Sequence, residues 1–404
     1  MNDKTVENDK HGGRGYYTRL SHGGRAGTNV RGFVNVPVHR GSTMLYGSMA
    51  ERTAASQDRF EQKPHYGTGG SATHWALENV VAEIEGGTRC QIVSTGLAAV
   101  TVPLLAYLKA GEHVLMPDSC YGPARSFCDN FLTRMGISTT YYDPTITGAA
   151  IAALFQPNTT VLYLESPGSH TFEVQDVPAL SAVARGKGAK VLMDNTWGIH
   201  HFQPFKHGVD VSIQALTKYV VGHSDVLLGS ITVNTREDWE RVRATSVILG
   251  QYASPDDCWL ALRGARTMGV RMERQEKSAV AVAAWLATRP EVKMVLHPAL
   301  PGTPGHELWK RDFTGACSLF GVVFRDDIAR ESVHAMANAL QLFGKGASWG
   351  GFESLALPTG GSVTRTAGSG QFGGEMMRLH VGLEDVDDLK ADLEQGLAVL
   401  NARR

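Results

Sequence analysis

The chain has 404 residues, 43% of them hydrophobic, with 39 basic against 40 acidic side chains and a formal net charge of -1. A chain of this size buries a large core and predicts two or three domains, while the charge balance argues against bulk electrostatic attraction to nucleic acid or to an anionic membrane. No apolar run reaches transmembrane length and the opening MNDKTVENDKHGGRGYYTRL has no apolar signal core, so a cytoplasmic, soluble protein is expected.

Residues 1–70 are polar, rich in Gly and Arg and without sustained periodicity, which predicts an arm that lies on a neighbouring subunit rather than an independent core. Over 71–265, short apolar runs (TVLYLES, AKVLMDN, VSIQAL, VLLGSITV) alternate with helical stretches (ALENVVAEIE, VPALSAVARG), the pattern of a mostly parallel sheet with helices on both faces. A ligand is then expected at the carboxyl ends of the strands. A long helix through CWLALRGARTMGVRMERQEKSAVAVAAWLATR leads into a smaller C-terminal α/β domain over 266–404, with SLFGVVFR as a strand, ESVHAMANALQLF as a helix, and TGGSVTRTAGSGQFGG as a mobile loop. The five cysteines are scattered without CxxC spacing, which points to reduced thiols rather than a disulfide frame or a zinc site. No metal is expected: His200, His201 and His223 lack acidic or cysteine partners at ligand spacing and read as core or site-rim histidines.

Two residues carry the chemistry. Asp194 ends the apolar run LMD, and Lys218 follows the run VDVSIQALT 24 positions further on. A lysine at a buried strand end loses hydration, its pKa falls, and its free amine can form a Schiff base. A carboxylate that can pair with a pyridinium nitrogen is the matching requirement for pyridoxal 5'-phosphate (PLP). A structural Lys-Asp ion pair at a sheet edge accounts for these two residues alone equally well. In QIVSTGLAAV an apolar run ends in a Gly-containing turn before a helix, so the backbone amides of Gly96 and Leu97 could face a phosphate. Thr217 could add a hydroxyl to it, and Tyr121, after the run HVLMPDSC, could stack on the pyridine ring.

The order Gly96, Tyr121, Asp194, Lys218, with the stretches LESPGSHTFEVQDVPAL, MDNTW, SIQALTKYVVGHSDVLLGS, SWGGFESL and RLHVGLEDVDDL, resembles the Cys/Met-metabolism family of PLP enzymes, closest to its cystathionine β-lyases. The resemblance implies fold type I, the PLP-dependent transferase-like architecture, and a homotetramer built as a dimer of dimers. It implies that Lys218 carries the Schiff base and acts as catalytic base, that Asp194 holds the pyridine nitrogen, and that Tyr121 stacks on the ring. Gly96, Leu97 and Thr217 fall on phosphate-binding positions. Arg378 falls on the arginine that takes the substrate carboxylate, with Ser348 and Trp349 beside it, and Tyr66 reaches the site from the neighbouring subunit. The implied reaction is α,β-elimination on a sulfur-containing amino acid, giving a thiol, pyruvate and ammonia.

Two positions depart from the family pattern. HYGTGG has Thr68 where Tyr-x-Arg supplies an arginine to the cofactor phosphate, and GKGASWGG has Ala347 where the β-lyases have tyrosine. A lost charge-assisted contact is worth about 1.5–3 kcal/mol, which Thr68, neighbouring amides or Arg59 would have to replace. Both changes enlarge the centre. They motivate the alternative of γ-elimination or γ-replacement on a bulkier substrate such as S-adenosylmethionine, with a large or nucleotide-like acceptor. A non-catalytic subunit on the same fold is a third reading, opposed by the presence of Lys218, Asp194, Tyr121 and Arg378 together.

Overall fold

The computed structural model describes residues 15–25, 32–368 and 372–403. The large sheet is built from β1 (Arg89–Val93), β2 (His113–Pro117), β3 (Ser138–Tyr142), β4 (Thr159–Glu165), β5 (Lys190–Asp194), β6 (Val211–Gln214) and β7 (Gly229–Val233), in the order β1-β7-β6-β5-β4-β2-β3. Its centre is parallel; β7 alone runs against its neighbours β6 and β1. The small sheet contains β8 (Val292–Leu296), β9 (Leu319–Phe324), β10 (Leu355–Pro358) and β11 (Met376–His380), antiparallel in the order β10-β11-β9-β8.

The first helices are α1 (Tyr16–His22), α2 (Met49–Gln57), α3 (Ala72–Glu85), α4 (Gly96–Tyr107), α5 (Gly122–Phe127) and α6 (Gly148–Ala152). They are followed by α7 (Val177–Gly186), α8 (Arg236–Ile248), α9 (Pro255–Leu286), α10 (His306–Asp312), α11 (Arg330–Ala339) and α12 (Val386–Asn401).

Side chains of a strand alternate between the two faces of its sheet, and here the alternation sorts the core into two layers. Leu162, Leu164, Val191 and Met193 pack with α3, α7 and α9, whereas Val161, Tyr163, Leu192, Val211 and Ile213 pack with α4, α5 and α8. The continuous apolar runs read from the sequence are therefore strands covered on both faces, as a parallel sheet requires. A third core joins the small sheet to α11, α12 and the end of α9, around Phe320, Val322, Val333, Leu389 and Leu393. The boundary expected at 265/266 falls inside the continuous helix α9, which contributes Ala261 and Met268 to the first core and Val282 and Leu286 to the third.

Part of the N-terminal arm packs on its own chain. Tyr16 stacks on His200 at 4.0 Å, and the Leu20 carbonyl accepts a hydrogen bond from Arg266 across α9. Farther on, α2 buries no residue at all, and Phe33, Val34, Leu45 and Met49 are exposed. All five cysteines are buried and unpaired. No helix among the described residues is long and apolar enough to cross a membrane.

The loop expected to be mobile is tied down where it is described. Asp118 Oδ2 accepts the backbone amides of Thr366 (2.7 Å) and Ala367 (2.6 Å), and Arg365 pairs with Glu173 at 2.8 Å with both side chains under a tenth exposed. Its glycine content signals turns, but a buried aspartate and a buried glutamate supply partners that the local sequence does not reveal. Residues 369–371 of that loop lie outside the described residues.

Phe320 sits on the central strand β9 with no exposed surface. Phe320→Ala is expected to destabilise the protein by about 3–5 kcal/mol through lost burial and the cavity left behind, measured as a lower urea midpoint by tryptophan fluorescence.

Candidate active site

The parallel strands end side by side, and several of them end in an acid. Asp194 is the last residue of β5 and stands in register with Glu165, the last residue of β4; Asp118 follows β2 directly. Asp194 Oδ1 accepts the backbone amide of Thr196 at 2.9 Å and its hydroxyl at 2.6 Å. Burial pushes the Asp194 carboxyl up, opposed by the two Thr196 donors and by the Lys218 ammonium. Burial, and then the neighbouring Asp194 charge, push Glu165 up to about 8.

Glu165 was not singled out in the sequence, yet it organises the rim. Its Oε2 accepts the backbone amide of Tyr121 at 2.6 Å and its Oε1 accepts the Ser169 hydroxyl at 2.5 Å. The available signal was the acid closing YLE in TVLYLES, the same pattern that exposed Asp194 in LMD. Tyr121 itself caps α5 and is partly exposed. Its phenol is pushed up by burial and by the charges of Asp194 and Glu165, with Arg378 opposing.

Lys218 lies in the turn between β6 and β7. Its Nζ donates to Ser348 Oγ at 2.6 Å and stands 5.3 Å from the centre of the Trp349 ring. Desolvation, and then the Arg378 charge, pull its pKa down to about 8, with Asp194 opposing. The 348–351 segment precedes β10 of the small sheet and fits closely: a Cβ on Gly350 would stand 2.8 Å from the Lys218 carbonyl carbon. Ser348 itself adopts a left-handed φ of 79°, and its carbonyl accepts from Arg378 Nη2 at 3.0 Å. Behind this turn, the buried His380 ring contacts the Gly350 amide, the Gly351 carbonyl and the Ser318 hydroxyl. Burial lowers Arg378 to about 10, so it stays charged near neutral pH.

Gly96 begins α4, whose cap is Thr95 accepting the Ala98 amide at 3.0 Å. The first amides of a helix have no partner within it, and this terminus abuts the turn that carries Lys218. A Cβ on Gly96 would come within 2.7 Å of the Ala215 Cβ, three residues before the lysine. Thr217 is less free than expected, because its hydroxyl donates to the Leu228 carbonyl (3.1 Å) and accepts the Leu228 amide (3.0 Å).

Thus Lys218, Asp194, Tyr121, Arg378, Ser348 and Trp349 converge within one chain. Tyr66 and Thr68 are exposed on the turn around Gly67–Gly69, with Gly69 buried beneath them, and Ala347 is exposed beside Ser348. His200 stacks between Tyr16 and His201, and His223 Nδ1 pairs with the Val221 carbonyl at 2.6 Å. Among the described residues no group of His, Cys, Asp and Glu is arranged to hold a metal ion.

The family model described as Cys/Met metabolism PLP-dependent enzyme matches residues 17–398. The chain belongs to that family. It is 42% identical over 387 residues to cystathionine beta-lyase MetC of Escherichia coli K12, covering 94% of this chain and 98% of that one. It is 34% identical over 386 residues to cystathionine gamma-synthase of Mycobacterium bovis, covering 94% and 96%. The crystal structure of metB from Corynebacterium glutamicum superposes with a TM-score of 0.87 at 29% identity, over 97% of this chain and 99% of that one. These relatives carry the fold type I architecture, and the family's cofactor is pyridoxal 5'-phosphate.

The residues present fit that group. A depressed lysine, an enclosed carboxylate and a helix start where a side chain would collide with its neighbour supply an amine, a partner for a ring nitrogen and a close backbone approach for a phosphate. Because the Lys218 amine is lowered from 10.5 to about 8, it becomes free as pH rises through about 8 rather than through the usual lysine range. Cofactor capture by the stripped protein is therefore expected to accelerate up to about pH 8 and then level off, followed by stopped-flow absorbance. A rate still climbing beyond pH 10 would mean an ordinary, hydrated lysine.

Proposed function

We propose that this PLP-dependent lyase of the carbon-sulfur class cleaves the Cβ–S bond of cystathionine, which with water gives homocysteine, pyruvate and ammonia. The observation that carries the reading is the convergence of Lys218, Ser348 and Arg378: an amine of depressed pKa held at 2.6 Å on the hydroxyl of a serine whose carbonyl accepts from a buried guanidinium. The relatives named as cystathionine β-lyases support the choice of substrate.

In this reading the Arg378 guanidinium takes the substrate α-carboxylate as a planar fork, with one Nη already oriented by the Ser348 carbonyl. Bound PLP supplies an electron-withdrawing ring that takes up the negative charge left at Cα. Asp194, oriented by its Thr196 bonds, would pair with the ring nitrogen and stabilise positive charge there. Lys218 removes the α-proton as general base, guided by Ser348 Oγ. Tyr121 keeps its phenolic proton because burial and two nearby carboxylates raise its pKa, and it delivers that proton to the departing thiolate. The Gly96 and Leu97 amides would form the phosphate cradle, and Thr217 would join it only by turning its hydroxyl proton away from the Leu228 carbonyl. Trp349 walls the amine.

The protein would act in the cytoplasm as a homotetramer, a dimer of dimers. The unburied helix α2 and the exposed Phe33, Val34, Leu45, Met49 and Tyr66 form the surface that a second copy would cover, bringing Tyr66 to its neighbour's site.

The PLP-loaded enzyme is expected to form pyruvate and homocysteine from L-cystathionine. Lys218→Ala should lower kcat by about 10²–10⁴-fold, and Arg378→Lys should raise KM by about tenfold through loss of the bidentate fork, both read in a coupled pyruvate assay. Inert cystathionine, with methylthioadenosine released from S-adenosylmethionine, would transfer the same residues to γ-elimination or γ-replacement and make Thr68 and Ala347 the marks of a larger pocket.

A further inference from the structure

The turn after β4 carries a histidine that the reaction above does not use. The turn is held from several sides: Ser169 N donates to the Ser119 carbonyl at 2.8 Å, Gly168 N to the Glu173 carbonyl at 2.9 Å, and Phe172 N to the Gly168 carbonyl at 3.0 Å. Within it His170 adopts a left-handed φ of 65°. Such a backbone costs a non-glycine residue energy and persists where surrounding contacts impose it, often at ligand sites.

The imidazole makes no hydrogen bond with the described residues. Its Nδ1 is sealed from solvent without a partner, which leaves Nε2 as the open ring nitrogen. A neutral imidazole bears one N–H, and sealing that donor away from any acceptor would cost its full desolvation. The proton is accordingly assigned to Nε2. Gly321 of β9 is the register partner of Arg378, and a Cβ built on Gly321 would stand 3.2 Å from the His170 carbonyl, so the turn overlies the strand pair that carries the arginine. Burial, and then the Arg378 and Arg365 charges, keep the ring neutral down to about pH 4. Arg365 is neutralised by Glu173 at 2.8 Å. Arg378 has no carboxylate partner among the described residues, and its guanidinium bonds only the Ser348 carbonyl.

We propose that His170 is a specificity-determining residue whose Nε2–H donates to the same substrate α-carboxylate that Arg378 grips, selecting α-amino acids over amines that lack the carboxylate. The proposal rests on the reading of Arg378 as the carboxylate-binding group and is independent of which bond is later cleaved. Its distinctive feature is a neutral donor beside a cationic one: the histidine adds directionality without adding a second charge next to the Lys218 amine, whose pKa a further cation would depress again.

The test titrates the PLP-loaded enzyme with L-alanine, which has no leaving group, and with ethylamine, its analogue without the carboxylate, following the cofactor absorbance. His170→Phe is expected to raise the half-saturating L-alanine concentration about tenfold or more while ethylamine shifts by less than about twofold, and His170→Gln, which retains a donor, should recover most of the loss. Should the Phe variant lose cofactor, His170→Met takes its place in the same comparison. Unchanged L-alanine binding in the variant, or equal weakening of both ligands, would overturn the proposal. Failure to form pyruvate from cystathionine would refute the lyase reading and leave this titration unaffected, so the two can fail separately.

Discussion

A buried carboxylate is costly unless it is hydrogen-bonded or paired, and the arrangement of the active centre follows from placing acids at the carboxyl ends of parallel strands. Each acid gathers a different piece of chain. Asp194 draws in Thr196 and stands opposite the Lys218 turn. Glu165 ties the Tyr121 amide to the Ser169 hydroxyl, fixing the rim that carries both the tyrosine and His170. Asp118 holds Arg125 on one side and the backbone of Thr366 and Ala367 on the other, so the loop between β10 and β11 is fastened to the large sheet. The sheet thus places the candidate site residues, and satisfying its acids fastens the surrounding loops to it.

The second contribution is a close approach between the segment before β10 and the Lys218 turn. The long helix α9 belongs to the first and the third of the three cores, so the small sheet cannot swing freely relative to the large one. That coupling presses the Ser348–Gly350 segment onto the backbone at Lys218, where only glycine fits at position 350. His380, neutral because it is fully buried, braces the same segment from behind. Ser348 then links two charges of the same sign: its hydroxyl takes the lysine and its carbonyl takes the arginine. Two cations can share a partly dry pocket this way because each meets a different oxygen of one residue.

Much of this was legible in the chain. Apolar runs ending in an acid or a lysine marked β5 and the turn after β6, and uninterrupted hydrophobicity marked strands covered on both faces. Other parts were not. Glu165 closes β4 as Asp194 closes β5, but its role depends on the register that sets it beside Asp194. The glycine-rich 359–374 stretch read as mobile because its partners, Asp118 and Glu173, lie some two hundred residues away in sequence. Thr217 read as a free hydroxyl, and only the fold shows that Leu228 already occupies it.

The sequence by itself determined the layer architecture and singled out Asp194 and Lys218 as the candidate pair, because side-chain periodicity and the rarity of charge at strand ends are local properties that survive without coordinates. It also determined the family, through motifs kept in order along nearly the whole chain. Tertiary structure decided how far the lysine is desolvated, which serine it meets, and which acids are near enough to shift one another. It also decided that the His170 Nδ1 is buried without a partner in the turn after β4. Those are distances between residues far apart in the chain, and hydrogen bonds and charges act through distance rather than through sequence separation.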